Sequence, residues 1–329
     1  MTSQASDKRH FSKSKGASLR RFGVCYMCLF LLILFLKNGN AAAAWVSEGL
    51  RICAGRLIPS IFPFMVVSSL MVSSGAGSSM FKILRRPVSA VFGLGGECCA
   101  PIMLGWICGF PVGARCAAEL YLGGRINRGE YTRVLCVSST PSPAFLIGAV
   151  GEGMLKKPIW GLALYVLCIL SCVTVGVAMK RTGGGEASRE KTIAVQQKRV
   201  SFAEALTRAV TDSAQGMLYV CAFVVFFSAF LGAAEGALSF LSLSDRTTAL
   251  LFSFFEMTSG VSRLSTLPTV SFPLLAVASG WSGMSVHFQT AAISVVKGKT
   301  FAAYLLSHVA KAALCGIGAV AISLIMRLI

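Results

Sequence analysis

Hydrophobic positions fill long stretches of the chain, and short polar blocks separate these stretches. A helix that crosses the hydrocarbon core of a bilayer needs about 17–25 largely uncharged residues. Three stretches meet this requirement clearly: Ile159–Met179, Ala214–Ala234 and Phe301–Met326. The pattern therefore predicts an all-α, polytopic membrane protein that crosses the cell membrane several times.

The beginning of the chain allows two interpretations. Residues 1–21 are polar and basic, which predicts a disordered cytoplasmic tail. The apolar run that follows predicts an N-terminal transmembrane anchor over residues 22–40. The same run, followed by Ala41–Ala44, also resembles a signal peptide that is removed by cleavage. With an anchor, the N-terminus lies in the cytoplasm.

Two apolar segments of the first half are interrupted by residues that break helices. The segment "LGWICGFPVGARCAAELY" (104–121) breaks at Gly109–Gly113, and the next segment breaks at Ser138–Pro143. Pro removes a backbone hydrogen bond and Gly adds backbone freedom. Basic blocks flank Val88–Leu122 on both sides, which predicts a re-entrant hairpin. Before it, Ala41–Leu57 is amphipathic and predicts an interfacial helix that precedes a span.

The pattern recurs after a basic, glycine-containing linker at residues 180–200. The second half has an amphipathic segment (Phe202–Ser213), a span, a broken hairpin (Ala249–Leu267), a broken segment (Ser279–Gln289) and a last span. If the N-terminus is cytoplasmic and successive spans cross in opposite directions, the first half starts outside the cell and the second half starts in the cytoplasm. This predicts two inverted repeats, residues 41–179 and 201–329, of the kind that secondary transporters contain.

Broken helices in a membrane imply a solute site, because unwound backbone is tolerated only inside protein or beside a water-filled cavity. The expected partners are the lipid bilayer and a small polar or anionic solute, and a homo-oligomer is left open. The net charge of +18 lies mostly in blocks between apolar segments, so it reflects topology and not nucleic-acid binding. The sequence contains no nucleotide-binding loop, metal cluster or catalytic triad, and we therefore expect no enzyme activity, metal or cofactor.

Four motifs resemble one family, the YlbJ-type sporulation integral membrane proteins with a nucleoside-recognition Gate domain. The motifs are "GFPVGARCAAELY" (109–121), "SPAFLIGAVG" (142–151), "EMTSGVSRLS" (256–265) and "SGMSVHFQ" (282–289). The resemblance runs from about Trp45 to the C-terminus.

The resemblance implies a fold similar to concentrative nucleoside transporters, a role in sporulation, and movement of dipicolinic acid across the outer forespore membrane. The family pattern carries Asn where this chain has Ser139-Thr140 and Ser259, which leaves the solute open. Two other functions stay open: a non-transporting scaffold of the spore envelope, and a nucleoside or ion permease.

Glu256 is the strongest single candidate for the site, because a carboxylate inside a membrane is costly unless it is paired or wet. It could carry a coupling proton, or it could pair with Arg263 in a structural role. Arg115 could bind a carboxylate solute, or it could form a helical ion pair with Glu119. His287 and Gln289 could bind a polar solute or bridge helices.

The remaining candidates share a position at or near one of the four breaks, and helix breaking alone would also explain them. The predicted solute-binding residues are Gly109, Phe110, Pro111, Val112, Gly113, Arg115, Ser138, Ser139, Thr140, Ser142, Glu256, Thr258, Ser259, Gly260, Ser282, Gly283, Ser285, His287 and Gln289. We expect the four breaks to surround one site near the middle of the membrane.

Overall fold

The structure, a computed structural model, describes residues 21–73, 81–182, 201–238 and 241–328. In these residues the chain is helical and contains no strand, which confirms the all-α prediction. Residues 1–20 of the predicted tail (1–21) and residues 183–200 of the predicted linker (180–200) lie outside the described residues. The α-helices are α1 (Arg21–Lys37), α2 (Gly39–Ile52), α3 (Ile58–Ser73), α4 (Lys82–Phe92), α5 (Cys99–Cys108), α6 (Val112–Leu122), α7 (Arg128–Ser138), α8 (Pro158–Thr182), α9 (Phe202–Leu238), α10 (Asp245–Phe255), α11 (Met257–Thr266), α12 (Phe272–Trp281), α13 (Gly283–Ile293) and α14 (Lys299–Leu328). Shorter elements are the π-helices Cys53–Leu57 and Ala144–Met154 and the 3-10 helix Gly96–Cys98.

Three helices are long and apolar enough to cross a membrane: Pro158–Arg181 in α8, Phe202–Ala237 in α9 and Lys299–Ile325 in α14. They contain the three spans predicted from the sequence. Two bent pairs, α1 with α2 and α4 with the segment Gly96–Cys108, turn by 94° and 108°. If each pair counts as one crossing, the described residues contain up to five crossings.

A nearly continuous rod, made of α2, the π-helix Cys53–Leu57 and α3, packs antiparallel to α9. Glycines on α9 permit the close approach. A Cβ atom on Gly232 would lie 2.3 Å from Trp45, and a Cβ atom on Gly216 would lie 2.7 Å from Met65. The rod and α9 therefore join the two halves of the chain along their lengths.

The predicted interfacial helix at Ala41–Leu57 is not a separate element. Cys53 and Ile58 both have αR backbone angles, so the helix continues through the π-helix into α3. The amphipathic segment Phe202–Ser213 is likewise continuous with the span in α9. The first segment packs on the later part of α9, where Trp45 lies against Gly232 and Gly49 lies against Ser228.

The two halves contain the same order of elements. A hairpin (α5 and α6), a broken helix (α7 and Ala144–Met154) and a long helix (α8) form the first series. The second series is the hairpin of α10 and α11, the broken helix of α12 and α13, and α14. The ends of each hairpin lie together, because Arg125 bonds with Glu97 in the first and Arg246 donates to Thr269 at 2.7 Å in the second.

Basic residues from distant parts of the chain gather at one end of the molecule. Arg133 donates to the carbonyl of Gly93 at 3.3 Å, and Lys180 donates to the carbonyl of Ala90. These contacts join the end of α4, the start of α7 and the end of α8. Arg128, also at the start of α7, donates to Thr300 Oγ1 at 3.4 Å and so brings in the start of α14.

Candidate functional site at the helix breaks

Elements from all four breaks line one small cavity of about 40 Å³. Five of the predicted site residues contribute to its wall: Phe110, Ser142, Glu256, Thr258 and Gln289. Since a buried water occupies at least about 10–15 Å³ on this scale, the cavity has room for only a few water molecules. The structure therefore brings the four breaks together around one small space.

The sequence did not predict the apolar part of the wall. It comes from Leu57 and Ile61 of the rod and from Val220 and Val224 of α9. These residues are ordinary hydrophobic positions in apolar runs, so no local signal distinguishes them. Their role depends on the packing of the rod against α9.

Each hairpin break packs against the broken helix of its own half, and glycine makes the contact possible. A Cβ atom on Gly109 would lie 2.7 Å from the backbone nitrogen of Ser142, and one on Gly283 would lie 2.9 Å from that of Met257. Both glycines have positive φ angles, 78° and 83°. In the first half, the amide of Phe110 also donates to the carbonyl of Thr140 at 3.0 Å.

Glu256 is 1% exposed and caps the amino end of α11. Its Oε1 accepts from the amide of Thr258 at 3.0 Å, and its Oε2 accepts from the amide of Ser259 at 2.6 Å. The negative charge lies at the positive end of the helix dipole, which stabilises it there. The alternative prediction, an ion pair between Glu256 and Arg263, is wrong, because Arg263 pairs with Glu235 at 2.7 Å.

Arg115 does not line the cavity. Its guanidinium lies 3.2 Å from Glu119 and 3.2 Å from Asp212 of α9, and it also donates to the Asp212 carbonyl at 2.6 Å. The helical pair with Glu119 is therefore present, and the bond to Asp212 ties the first hairpin to α9. In this arrangement the guanidinium serves helix packing.

Several predicted residues have buried polar atoms without a hydrogen-bond partner. Among the described residues, eight buried side chains have such an atom, and five of the eight are predicted site residues. An unsatisfied buried polar atom costs about 1–3 kcal/mol, and none of these five residues lines the cavity. The five are Ser138, Ser139, Thr140, Ser259 and His287.

The other predicted residues are packed within the protein. Gly113 contacts Gly105 and Ser138, since a Cβ atom there would lie 2.8 Å and 2.9 Å from them. Gln289 donates to Ser285 at 3.1 Å, and the Ser282 hydroxyl donates to the Ser279 carbonyl. Pro111, Val112, Gly260 and Gly283 are also buried. Phe110 and Arg115 alone among the predicted set are partly exposed.

A larger groove adjoins this cavity. Its volume is about 420 Å³, and it shares Leu57, Phe145 and Thr258 with the cavity. The π-helix Ala144–Met154 provides much of its wall. These three side chains form a wall common to the two spaces.

Sequence reasoning missed a buried polar cluster beside the first broken helix. Lys311 of α14 is 2% exposed, and its Nζ donates to the carbonyl of Ser139 at 2.7 Å. His308, Tyr304 and His287 surround it, with His287 and His308 ring centroids 4.7 Å apart. A lysine inside the apolar run Phe301–Met326 is a signal of the same kind as Glu256, and it could have identified this cluster.

The long apolar helices and the buried charges at helix breaks define a multi-pass α-helical membrane protein. The chain is 29% identical over 307 residues to the "Sporulation integral membrane protein YlbJ" of Bacillus subtilis (strain 168), with 80% of this chain and 73% of that protein covered. The resemblance to YlbJ-type sporulation membrane proteins, drawn from the four motifs, is thereby confirmed. The chain matches no family model, and it matches no solved structure. The Gate domain, the inverted repeats and the likeness to nucleoside transporters stay predictions.

Proposed function

We propose that this protein moves a small polar solute, preferably an anionic one, across a membrane during sporulation, with dipicolinic acid as the leading candidate. The observation that carries the proposal is the single cavity shared by all four breaks. Irregular backbone and a buried carboxylate inside a membrane are expected where a solute or ion binds. The role in sporulation is drawn from the YlbJ relative.

Helix ends at the breaks favour an anion. The amino ends of α6 and α13 have no side-chain cap, so their first amides are free of side-chain partners. Such amides, together with the positive end of the helix dipole, bind carboxylates and phosphates. The hydroxyl groups at Ser138–Thr140 add donors that can rotate toward a solute oxygen.

The cavity of about 40 Å³ is too small for an aromatic dicarboxylate. Transport therefore requires an open state, in which the cavity joins the adjoining groove of about 420 Å³. We propose that the cavity opens alternately toward the two faces of the membrane, as in transporters built from two inverted repeats. The N-terminus and the basic end of the molecule lie on the cytoplasmic side. The outer forespore membrane is the proposed location.

The main alternative is a scaffold of the spore envelope, in which the breaks only pack together. The buried charges of Glu256 and Lys311 argue against a scaffold, because a protein whose helices only pack together has little need of charged side chains inside the membrane. A nucleoside or ion permease would use the same site with a different solute. We propose transport rather than enzymatic chemistry for all of these sites.

Deletion of the gene in its native spore former, followed by measurement of dipicolinate in the mother cell and the spore, tests the proposal. We expect dipicolinate to be made in the mother cell and to be absent from the spore. Complementation with Glu256→Gln, at wild-type protein level, separates transport from scaffolding, since only transport requires the carboxylate. Normal spore dipicolinate in the deletion strain would overturn an indispensable role in its transport.

A further inference from the structure

The helix α4 lies at the end of the transmembrane helix α8. The apolar span of α8 ends at Arg181, so the edge of the hydrocarbon core lies near this residue. Lys180, next to it, donates to the carbonyl of Ala90 in α4. The side-chain stem of Lys180 also packs on Gly93, where a Cβ atom would lie 3.2 Å from Cγ of the lysine. These contacts place α4 at the level of the membrane surface.

The length and direction of α4 fit a helix that lies along the membrane surface. Its 11 residues, Lys82–Phe92, span about 16 Å, which is roughly half the thickness of the hydrocarbon core. The chain then turns by 108° into the segment Gly96–Cys108, the first arm of the first hairpin. Gly93 permits this turn with a φ angle of 63°. The geometry fits a surface helix followed by a hairpin arm better than it fits a single crossing.

One flank of α4 is apolar and exposed, although Val88 and Phe92 of the same helix are buried against the protein. Ile83 is 88% exposed, which is unfavourable in water but favourable in contact with acyl chains. In a helix of about 3.6 residues per turn, the exposed apolar residues share one side. They are Ile83, Leu84, Pro87 and Val91.

The neighbouring flank of α4 is basic, because Lys82 and Arg86 are both exposed there. Among the described residues, no Asp or Glu oxygen lies within 4.0 Å of either cation. Glu97, the acidic residue that contacts α4, pairs with Arg85 and Arg125 instead. Since Lys82 and Arg86 are one helical turn apart, their side chains can reach a single phosphate group.

We infer that α4 is an interfacial helix that binds an anionic phospholipid. Lys82 and Arg86 bind the headgroup phosphate, to which a guanidinium group can donate two hydrogen bonds. The apolar flank contacts the acyl chains of the same lipid. A lipid with net negative charge, such as phosphatidylglycerol, is preferred, because the choline group of a zwitterionic lipid would be repelled by the two cations. The inference concerns the outer surface of the protein and does not depend on the proposed function.

Lipid binding at α4 has a structural consequence for the first hairpin. Arg85 of α4 lies 3.7 Å from Glu97, and Glu97 also pairs with Arg125, which follows α6. Ion pairs therefore tie both ends of the hairpin to α4. A headgroup bound by Lys82 and Arg86 holds the base of the hairpin at the membrane surface.

Fluorescence quenching tests the position of α4 in the full-length protein. Ile83→Cys in a cysteine-free background is labelled with a bimane dye, and the protein is placed in vesicles of phosphatidylglycerol and phosphatidylcholine. We expect strong quenching by lipids that carry a spin label high on the acyl chain, and weak quenching by aqueous iodide. Ser89→Cys, an exposed position on the basic flank, is the matched control and should show the opposite order. Equal iodide quenching at both positions would overturn the inference.

The same dye at position 83 tests the lipid preference, with spin-labelled phosphatidylglycerol and spin-labelled phosphatidylcholine compared as quenchers. We expect phosphatidylglycerol to be preferred about fivefold, the effect of one basic residue near a charged surface, and the preference to decrease at high salt. Lys82→Gln with Arg86→Gln should abolish it, and each single variant should lose part of it, so the test stands even if the double variant is unstable.

Two controls keep the charge but change the residue, or remove charge elsewhere. Lys82→Arg with Arg86→Lys should retain the preference, and so should Lys297→Gln with Lys299→Gln, which removes two exposed cations before and at the start of α14. Equal quenching by the two lipids in the wild type, or an unchanged preference in Lys82→Gln with Arg86→Gln, would overturn the inference. Loss of the preference in inorganic phosphate at constant ionic strength would indicate a site for free phosphate and would also overturn it. Neither test involves a transported solute.

Discussion

Glu256 and Lys311 carry opposite charges at opposite kinds of helix end. Glu256 accepts hydrogen bonds from the amides at the amino end of α11, and Lys311 donates to the carbonyl at the carboxyl end of α7. Each charge compensates the dipole of one helix that ends at a break, an effect that reaches about 2 kcal/mol at partly buried sites. The two charges form no ion pair with each other.

Replacement of Glu256 by Gln should reduce solute transport strongly while the protein remains folded. The amide retains one acceptor oxygen and loses the other, so one of the two bonds to the α11 amides is lost along with the charge. The loss of a helix cap costs about 0.5–2 kcal/mol. Uptake in liposomes and thermal unfolding in detergent measure the two effects. Exposed Glu152→Gln is the control, and wild-type uptake by Glu256→Gln would show that the solute passes elsewhere.

Replacement of Gly109 by Ala should destabilise the protein by about 1–3 kcal/mol. Its φ of 78° and ψ of −176° belong to a region that only glycine adopts easily, and a Cβ atom would contact the backbone of Ser142. The control is Gly148→Ala, where a Cβ atom meets nothing within 4 Å. Thermal unfolding should show a decrease for the first variant and no decrease for the second. Equal stability of the two variants would contradict the packing at this break.

Inverted repeats predict that residues 186–196 lie in the cytoplasm and residues 244–248 lie outside. Single cysteines at Ala187 and Thr247 in a cysteine-free background test this with a membrane-impermeant thiol reagent. The background is feasible because all twelve native cysteines are free thiols. We expect labelling of Thr247→Cys in intact cells and of Ala187→Cys only after lysis. Labelling of both from the same side would end the inverted-repeat hypothesis.

A disulfide should form between cysteines placed at Gly49 and Ser228. A Cβ atom on Gly49 would lie 3.1 Å from Cβ of Ser228, near the range that disulfides need. The control pairs Gly49→Cys with Leu218→Cys, since Leu218 is an exposed residue of α9. The protein is oxidised and then cleaved within the linker. On a non-reducing gel, a disulfide keeps the two halves together in one band. Equal crosslinking in both pairs would contradict the antiparallel packing of the rod on α9.

The breaks could be predicted from the sequence because their signals are local. Pro and Gly residues at Gly109–Gly113 interrupt a helix within a few residues. The carboxylate of Glu256 interrupts an apolar run in the same way. Those positions are where the helices end or begin in the structure. The order of elements in the two halves follows from the same signals.

Partners across long sequence distances could not be predicted. Arg115 bonds with Asp212, 97 residues away, and Lys311 bonds with Ser139, 172 residues away. The spacing on one helix correctly predicted Glu119 as a partner of Arg115. The prediction of Arg263 as a partner of Glu256 across the hairpin was wrong, because Arg263 pairs with Glu235. The pairing of Arg263 with Glu235 joins α11 to the end of α9 across 28 residues, which no local pattern specifies.

The antiparallel packing of the rod on α9 has a consequence for biogenesis. During synthesis, the rod enters the membrane well before its partner helix leaves the ribosome, so the face of the rod that packs on α9 must wait for the second half. A chain that stops at residue 182 would keep this face uncovered, and we expect quality-control proteases to remove it. Supplying residues 201–329 as a separate polypeptide should rescue the fragment, because the contacts that complete the first half are made between the two pieces.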